Sequence, residues 1–143
     1  MRLLQLRVPA DPWQVRRVRE HLLQIGDDVE MTAQTQENFI TAIGEAFANA
    51  IEHAGGTADV EIAIERRDTH LVATIRDHGR GIDASCISAT LPSVTTERGR
   101  GIPLMRQCSD SMSIQNPSDG GTLVVLDWKL SLLEGPKRRN ALA

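Results

Sequence analysis

The sequence predicts an α+β fold: a two-layer α/β sandwich whose mostly antiparallel, mixed sheet carries its helices on one face. Three observations predict it. The segments run in the order βααββαββ, so strand and helix do not alternate as a doubly wound parallel sheet requires. Two pairs of strands are joined by short turn-forming stretches, Arg67-Asp68-Thr69 and Ser118-Asp119-Gly120-Gly121, which suit hairpins. The chain of 143 residues reads as one domain, long enough for a real core.

The elements follow in order. Leu4, Leu6 and Val8 alternate with Gln5 and Arg7, the pattern of a strand with one buried face. Asp11-Pro12 reads as a helix cap with proline at the first helical position. Val15, Val18, Leu22 and Ile25 then give helix one a single apolar stripe, and Gly26-Asp27-Asp28 is expected to end it. Helix two is expected over residues 33–54, with Phe39, Ile43, Phe47, Ala50 and Ile51 buried and Gly55-Gly56 as its stop. Val60, Ile62 and Ile64 alternate, as do Leu71, Ala73 and Ile75, giving two strands. Residues 82–98 have no period and contain Pro92; a stretch of this length reads as a functional lid rather than a plain connection. Ile102, Leu104, Met105 and Cys108 suggest a short helix starting about Gly101. Met112 and Ile114 begin a strand, and residues 123–126 form a buried last one. The domain is therefore expected over 1–130, with 131–143, including Lys137-Arg138-Arg139, a solvated flexible tail.

Composition removes several classes of function. A formal net charge of −3 does not suit a face driven onto duplex phosphates. Aromatics are 3% with no Tyr, too few for a base-stacking platform. Cys86 and Cys108 make no CxxC pattern and read as reduced thiols of a cytoplasmic protein. The start, Met1-Arg2-Leu3-Leu4-Gln5-Leu6-Arg7, lacks the sustained apolar run of a signal peptide, and no segment is expected to span a bilayer.

The chemistry begins with Glu45 and Asn49, which project from one face of helix two because they stand four residues apart. A carboxylate can accept a proton, and a carboxamide oxygen can ligate Mg²⁺, which completes its shell with water and substrate phosphates. Alone, such a pair is more often an ordinary solvated helix face. The small residues Ala46, Ala48, Ala50 and Ala54 point the other way, since they leave room for close approach. Asp77 ends a strand, where its carboxylate can accept from an adenine amine while Gly79 and Gly81 leave room for the ring; an ordinary turn fits the same residues. Gly99-Arg100-Gly101 stands before the short helix, whose N-terminal N–H groups suit phosphate. Arg98 and Arg100 either reach phosphate oxygens or point to solvent. No GK[ST] makes a Walker A loop, and no parallel βαβ unit makes a dinucleotide fingerprint. None of His21, His53, His70 and His78 has HExxH spacing; His53 either borders the phosphate end or simply faces the helix dipole.

In this order and spacing the pieces resemble the GHKL ATPase superfamily, and within it the bacterial anti-sigma factor serine/threonine protein kinases. Gly44-Glu45-Ala46-Phe47-Ala48-Asn49-Ala50 resembles the N box, Asp77-His78-Gly79-Arg80-Gly81 the first glycine box, and 95–105 the lid end and second glycine box. Gly120-Gly121-Thr122 resembles the late turn of the family. The likeness spans about residues 3–128. It implies the histidine kinase-like ATPase fold, ATP and Mg²⁺, with Glu45 as catalytic base, Asn49 as Mg²⁺ ligand, Asp77 as adenine reader and Thr122 as its support. It also implies a substrate, a Ser or Thr on a STAS-domain anti-anti-sigma protein, with a sigma factor as rival partner and a homodimer as a candidate state. Neither nucleic acid nor membrane enters. Two departures stand out: a short lid, and Pro103 just inside the short helix. The rival reading is a non-catalytic switch in which nucleotide gates the sequestration of a regulator. A histidine-kinase catalytic domain is a third reading, weakened because no helical phosphoacceptor region precedes the nucleotide domain.

Overall fold

The computed structural model describes residues 1–53, 59–79 and 97–130, with 97–100 described as helix backbone alone. Its elements are β1 (Arg2–Val8), α1 (Val15–Asp28), α2 (Ala33–His53), β2 (Val60–Arg67), β3 (His70–Asp77), α3 (Glu97–Gln107), β4 (Ser111–Gln115) and β5 (Thr122–Lys129), the expected order. The five strands form one sheet, β1-β2-β3-β5-β4. Every pairing among the described residues is antiparallel, where a mixed sheet was expected. The reason is topological. β3 and β4 point the same way, but the β4–β5 hairpin folds β5 between them, so they never pair.

Alternation puts Val60, Ile62, Ile64, Leu71, Ala73, Ile75, Val124, Leu126 and Trp128 on one buried face. The last strand is therefore buried on one side only, its residues alternating between buried and half-buried. α2 covers this face with Phe39, Ile43, Phe47 and Ala50, as the helical spacing predicts, while Ile51 is only partly buried. Phe39 is fully buried and meets Trp128 edge-on at 4.9 Å; burying a ring of that size stabilises by about 1.5–3 kcal/mol. Ala46 and Ala50 are buried in the core, so their smallness serves packing against the sheet; of the alanines expected to leave room for a ligand, Ala48 is exposed.

The helix ends differ from expectation in instructive ways. Asp11 caps a 3-10 turn, Pro12–Gln14, by accepting from the Trp13 N–H, and α1 starts only at Val15. Gly26 does not end α1. It is buried inside the helix because a methyl group there would lie 2.6 Å from Gln36 Nε2. The stop comes later, where Glu30 takes φ 59°, its N–H bonds the Asp27 carbonyl, and the Met31 N–H reaches back to Gly26. These are the bonds of a Schellman cap, here with Glu where glycine is usual. Thr32 caps α2 through Oγ1, which accepts from the Thr35 N–H at 3.1 Å.

α3 begins at Glu97, four residues before the expected start at Gly101. Gly99-Arg100-Gly101 therefore lies within the helix instead of ahead of it. Pro103 is correspondingly an interior residue, where it cannot donate to the carbonyl four residues back. What holds this helix is tertiary: Ile102 and Met105 are buried against the core.

Candidate functional site

Two groups of expected site residues come together. The first lies where α3 crosses α2. Glu45 and Asn49 are both half-buried on α2, one turn apart. Gly101 of α3 faces both: a methyl group there would lie 3.1 Å from Asn49 Nδ2 and 3.3 Å from Glu45 Oε2. The glycine thus lets one helix pass directly over the carboxylate and the carboxamide of the other. With the start of α3 at Glu97, the helix's first unbonded N–H groups, which suit an anion, lie one turn before Gly101.

The second group closes the end of the sheet. Asp77, the last residue of β3, is only 3% exposed, and Thr122, the first of β5, is its register partner. Asp77 Oδ1 accepts from the Gly79 N–H at 2.9 Å, which orients the carboxylate. Thr122 Oγ1 is buried and has no hydrogen-bond partner among the described residues. A buried hydroxyl without a partner is costly, so this atom fits a ligand that supplies the missing bond. Gly121 holds the two strands together at this point. Its φ is +81°, and a methyl group there would lie 2.0 Å from the Asp77 carbonyl oxygen. Sequence reading took Gly120-Gly121-Thr122 as a turn and missed this close approach; the doubled glycine was its signal.

Arg76, beside Asp77, donates to Asp119 at 2.7 Å and so pins the β4–β5 loop over this end of the sheet. That bond holds the Asp119 carboxyl below the ordinary range. His78 stands 3.3 Å from Glu61 on the other side and takes no part in the cluster. At the far end of α3, burial and then the negative field of Glu37 and Glu45 push the Cys108 thiol above its ordinary value. A raised thiol is a poor nucleophile at neutral pH.

Of the remaining expected residues, Gly81 and residues 82–96 of the expected lid 82–98 lie outside the described residues, as does the tail 131–143, while 97 and 98 fall in α3. Arg98, Gly99 and Arg100 are placed in the first turn of α3 by backbone alone. Among the described residues no group of three or more His, Cys, Asp and Glu could hold a metal by itself. The Asn49 carboxamide oxygen is a hard donor of the kind Mg²⁺ accepts, and such an ion can complete its shell with waters and substrate phosphates. No helix among the described residues is long and apolar enough to cross a membrane.

With this geometry in hand, comparison with known proteins is specific. The histidine kinase-like ATPase domain matches residues 8–128. An anti-sigma F factor of Anoxybacillus flavithermus is 34% identical over 96 residues, covering 60% of this chain and 64% of its own length. The chain thus spans just under two thirds of that relative. Two solved structures share the fold. The structure of the RsbU and RsbW domains of a Mycobacterium tuberculosis protein superposes with TM-score 0.69 at 20% identity, over 89% of this chain and 32% of that one. The SiaB–SiaC complex from Pseudomonas aeruginosa gives 0.71 at 14% identity, over 88% and 89%.

Proposed function

Because the chain belongs to the histidine kinase-like ATPase domain family, we propose that it is an ATP-dependent anti-sigma factor that phosphorylates a Ser or Thr of a STAS-domain partner and so governs a sigma factor. One observation carries this reading: Glu45 stands half-buried one turn before Asn49, with both facing the bare backbone of Gly101. Relatives named anti-sigma F factor support the same assignment.

Asp77 accepts a hydrogen bond from the adenine amine, and Thr122 Oγ1 gains the partner it lacks. Gly79, and Gly81 by its place in the sequence motif, are assigned to the space beside the ring. We assign the phosphates to the start of α3, with Gly99 and Gly101 allowing close approach of backbone N–H groups and Arg98 and Arg100 as candidate partners of the phosphate oxygens. Asn49 would hold Mg²⁺ through Oδ1, and the ion when bound offsets charge on the transferring phosphoryl group. The acceptor hydroxyl oxygen forms the new P–O bond as the bond between the β- and γ-phosphates breaks. Its proton passes to the Glu45 carboxylate, and ADP leaves.

Transfer from γ-labelled ATP to the STAS proteins of the same genome tests this. Glu45→Gln should keep nucleotide affinity and lose about 10²–10⁴-fold in transfer rate, the range for a general base. Wild-type transfer by Glu45→Gln would remove Glu45 from the role. A protein that transfers to no STAS partner, yet binds a sigma factor only with nucleotide, would be the non-catalytic switch.

A further inference from the structure

Resting on the assignment of adenine to Asp77 and Thr122 above, we propose that Arg76 and Asp119 form a clasp on the open face of the sheet that positions this pair on the other face. Asp119 ties the β4–β5 loop to β3, and the tie fixes where Thr122 Oγ1 stands beside the Asp77 carboxylate. Both members of the clasp are positioning residues, acting through Thr122 and Asp77 rather than on the nucleotide.

Strand geometry makes the clasp possible. Neighbouring residues of a strand point to opposite faces. Asp77 therefore turns to the buried face with Leu71, Ala73 and Ile75, and Arg76 turns to the open one. The acid directly across from Arg76 on β2 is Glu61, its register partner. Glu61 is already engaged, accepting from Arg7 at 2.6 Å and standing 3.3 Å from His78. Arg76 reaches instead toward β5, where Leu123 is its register partner, and its Nη2 donates to Asp119 at 2.7 Å. Its Nε is buried with no hydrogen-bond partner among the described residues. A side chain placed only to cover the sheet would not need to bury a donor there.

The loop itself calls for such a tie. Gly120 and Gly121 are consecutive and both left-handed, with φ of +96° and +81°. They carry no side chains to hold them, and glycine has the widest backbone freedom of any residue. Asp119 stands immediately before this two-glycine link and Thr122 immediately after it. Because Thr122 Oγ1 has no partner among the described residues, no side-chain bond within them sets its position. That position comes from the backbone, and the ion pair anchors the backbone one link away.

The test is calorimetry of the full chain with ATP and with ADP in the presence of Mg²⁺, alongside melting curves. The variants are Asp119→Ala, Asp119→Glu, Arg76→Gln and the double variant Arg76→Gln with Asp119→Ala. Asp119 is 69% exposed, so its variants fold. Asp119→Ala and Arg76→Gln should each weaken ATP and ADP by the same factor, about two- to fivefold, the scale of one exposed ion pair. The double variant should lose no more than the worse single one, because the two residues act as a unit. Asp119→Glu keeps the charge and the reach, and should restore wild-type affinity. A pair that served stability alone would lower the melting temperature and leave the affinity of the folded protein unchanged. Wild-type affinity in Asp119→Ala, or losses that add in the double variant, overturns the clasp. If Asp77→Asn still weakens ATP in that case, the adenine assignment stands without it. A wild-type chain that binds no ATP overturns the adenine assignment and the clasp together.

Discussion

Asp77 is held by neighbouring strands, whereas Glu45 is held by two crossing helices. At the Asp77 end, register with Thr122, the Gly79 N–H and the close approach of Gly121 leave the carboxylate no freedom. At the Glu45 end, the side chain is half-buried beside Gly101, and what sets its surroundings is how α3 lies on α2. Strand register shifts only in whole steps that turn every side chain to the other face. Helices can slide over one another by small amounts. The Asp77 end is thus built from the stiffer material and the Glu45 end from the more adjustable one, the two ends that the proposed function assigns to adenine and to phosphoryl transfer.

The sharpest way to break that contrast is Gly121→Ala. The φ of +81° and the 2.0 Å approach to the Asp77 carbonyl forbid a side chain, and the backbone strain alone should destabilise by about 1–3 kcal/mol. Chemical denaturation should show that loss together with weakened nucleotide binding. A variant as stable as wild type would mean that the strand end is not rigid. Asp77→Asn asks less of the fold, since an amide oxygen can still accept from the Gly79 N–H. It should weaken ATP binding by about 1–3 kcal/mol through one mismatched hydrogen bond, with stability little changed. Equal ATP affinity by calorimetry would separate Asp77 from adenine.

The smallest effect lies on the open face of the sheet. Arg7 donates to Glu61 at 2.6 Å, and this bond is the main reason that the Glu61 carboxyl sits below its ordinary range. A carboxyl lowered by folding contributes stability above its unfolded pKa and loses it as pH falls through the folded value. Arg7→Gln should therefore be slightly less stable at neutral pH, and the gap should close in acid. Because the pair is exposed, added salt should shrink it too. Melting curves from neutral pH down to about pH 3 would check the sign; a gap that widens in acid would contradict it.

Much of this was legible in the chain, for identifiable reasons. The period-two strands and the Phe39, Ile43, Phe47 stripe are local patterns, and they appear where the spacing puts them. Glu45, Asn49, Asp77 and Thr122 lie on described elements in two contacting groups. What the chain hid depends on distant partners. Gly26 looks like a helix stop until Gln36, ten residues on, fills the space beside it. The start of α3 at Glu97 precedes any apolar period, since its anchors Ile102 and Met105 come later.

The placement of Trp128 has a spectroscopic consequence. Its indole N–H donates to the Cys108 carbonyl at 2.8 Å, just past the end of α3, and its ring rests edge-on against Phe39 of α2. At 3% exposure it should emit at short wavelength and resist quenching by iodide, while Trp13, 87% exposed, should emit red-shifted light and quench freely. The two emitters of this chain therefore label different places: one the junction of α2, α3 and the sheet, the other the surface before α1. Collisional quenching can follow them separately without any added dye.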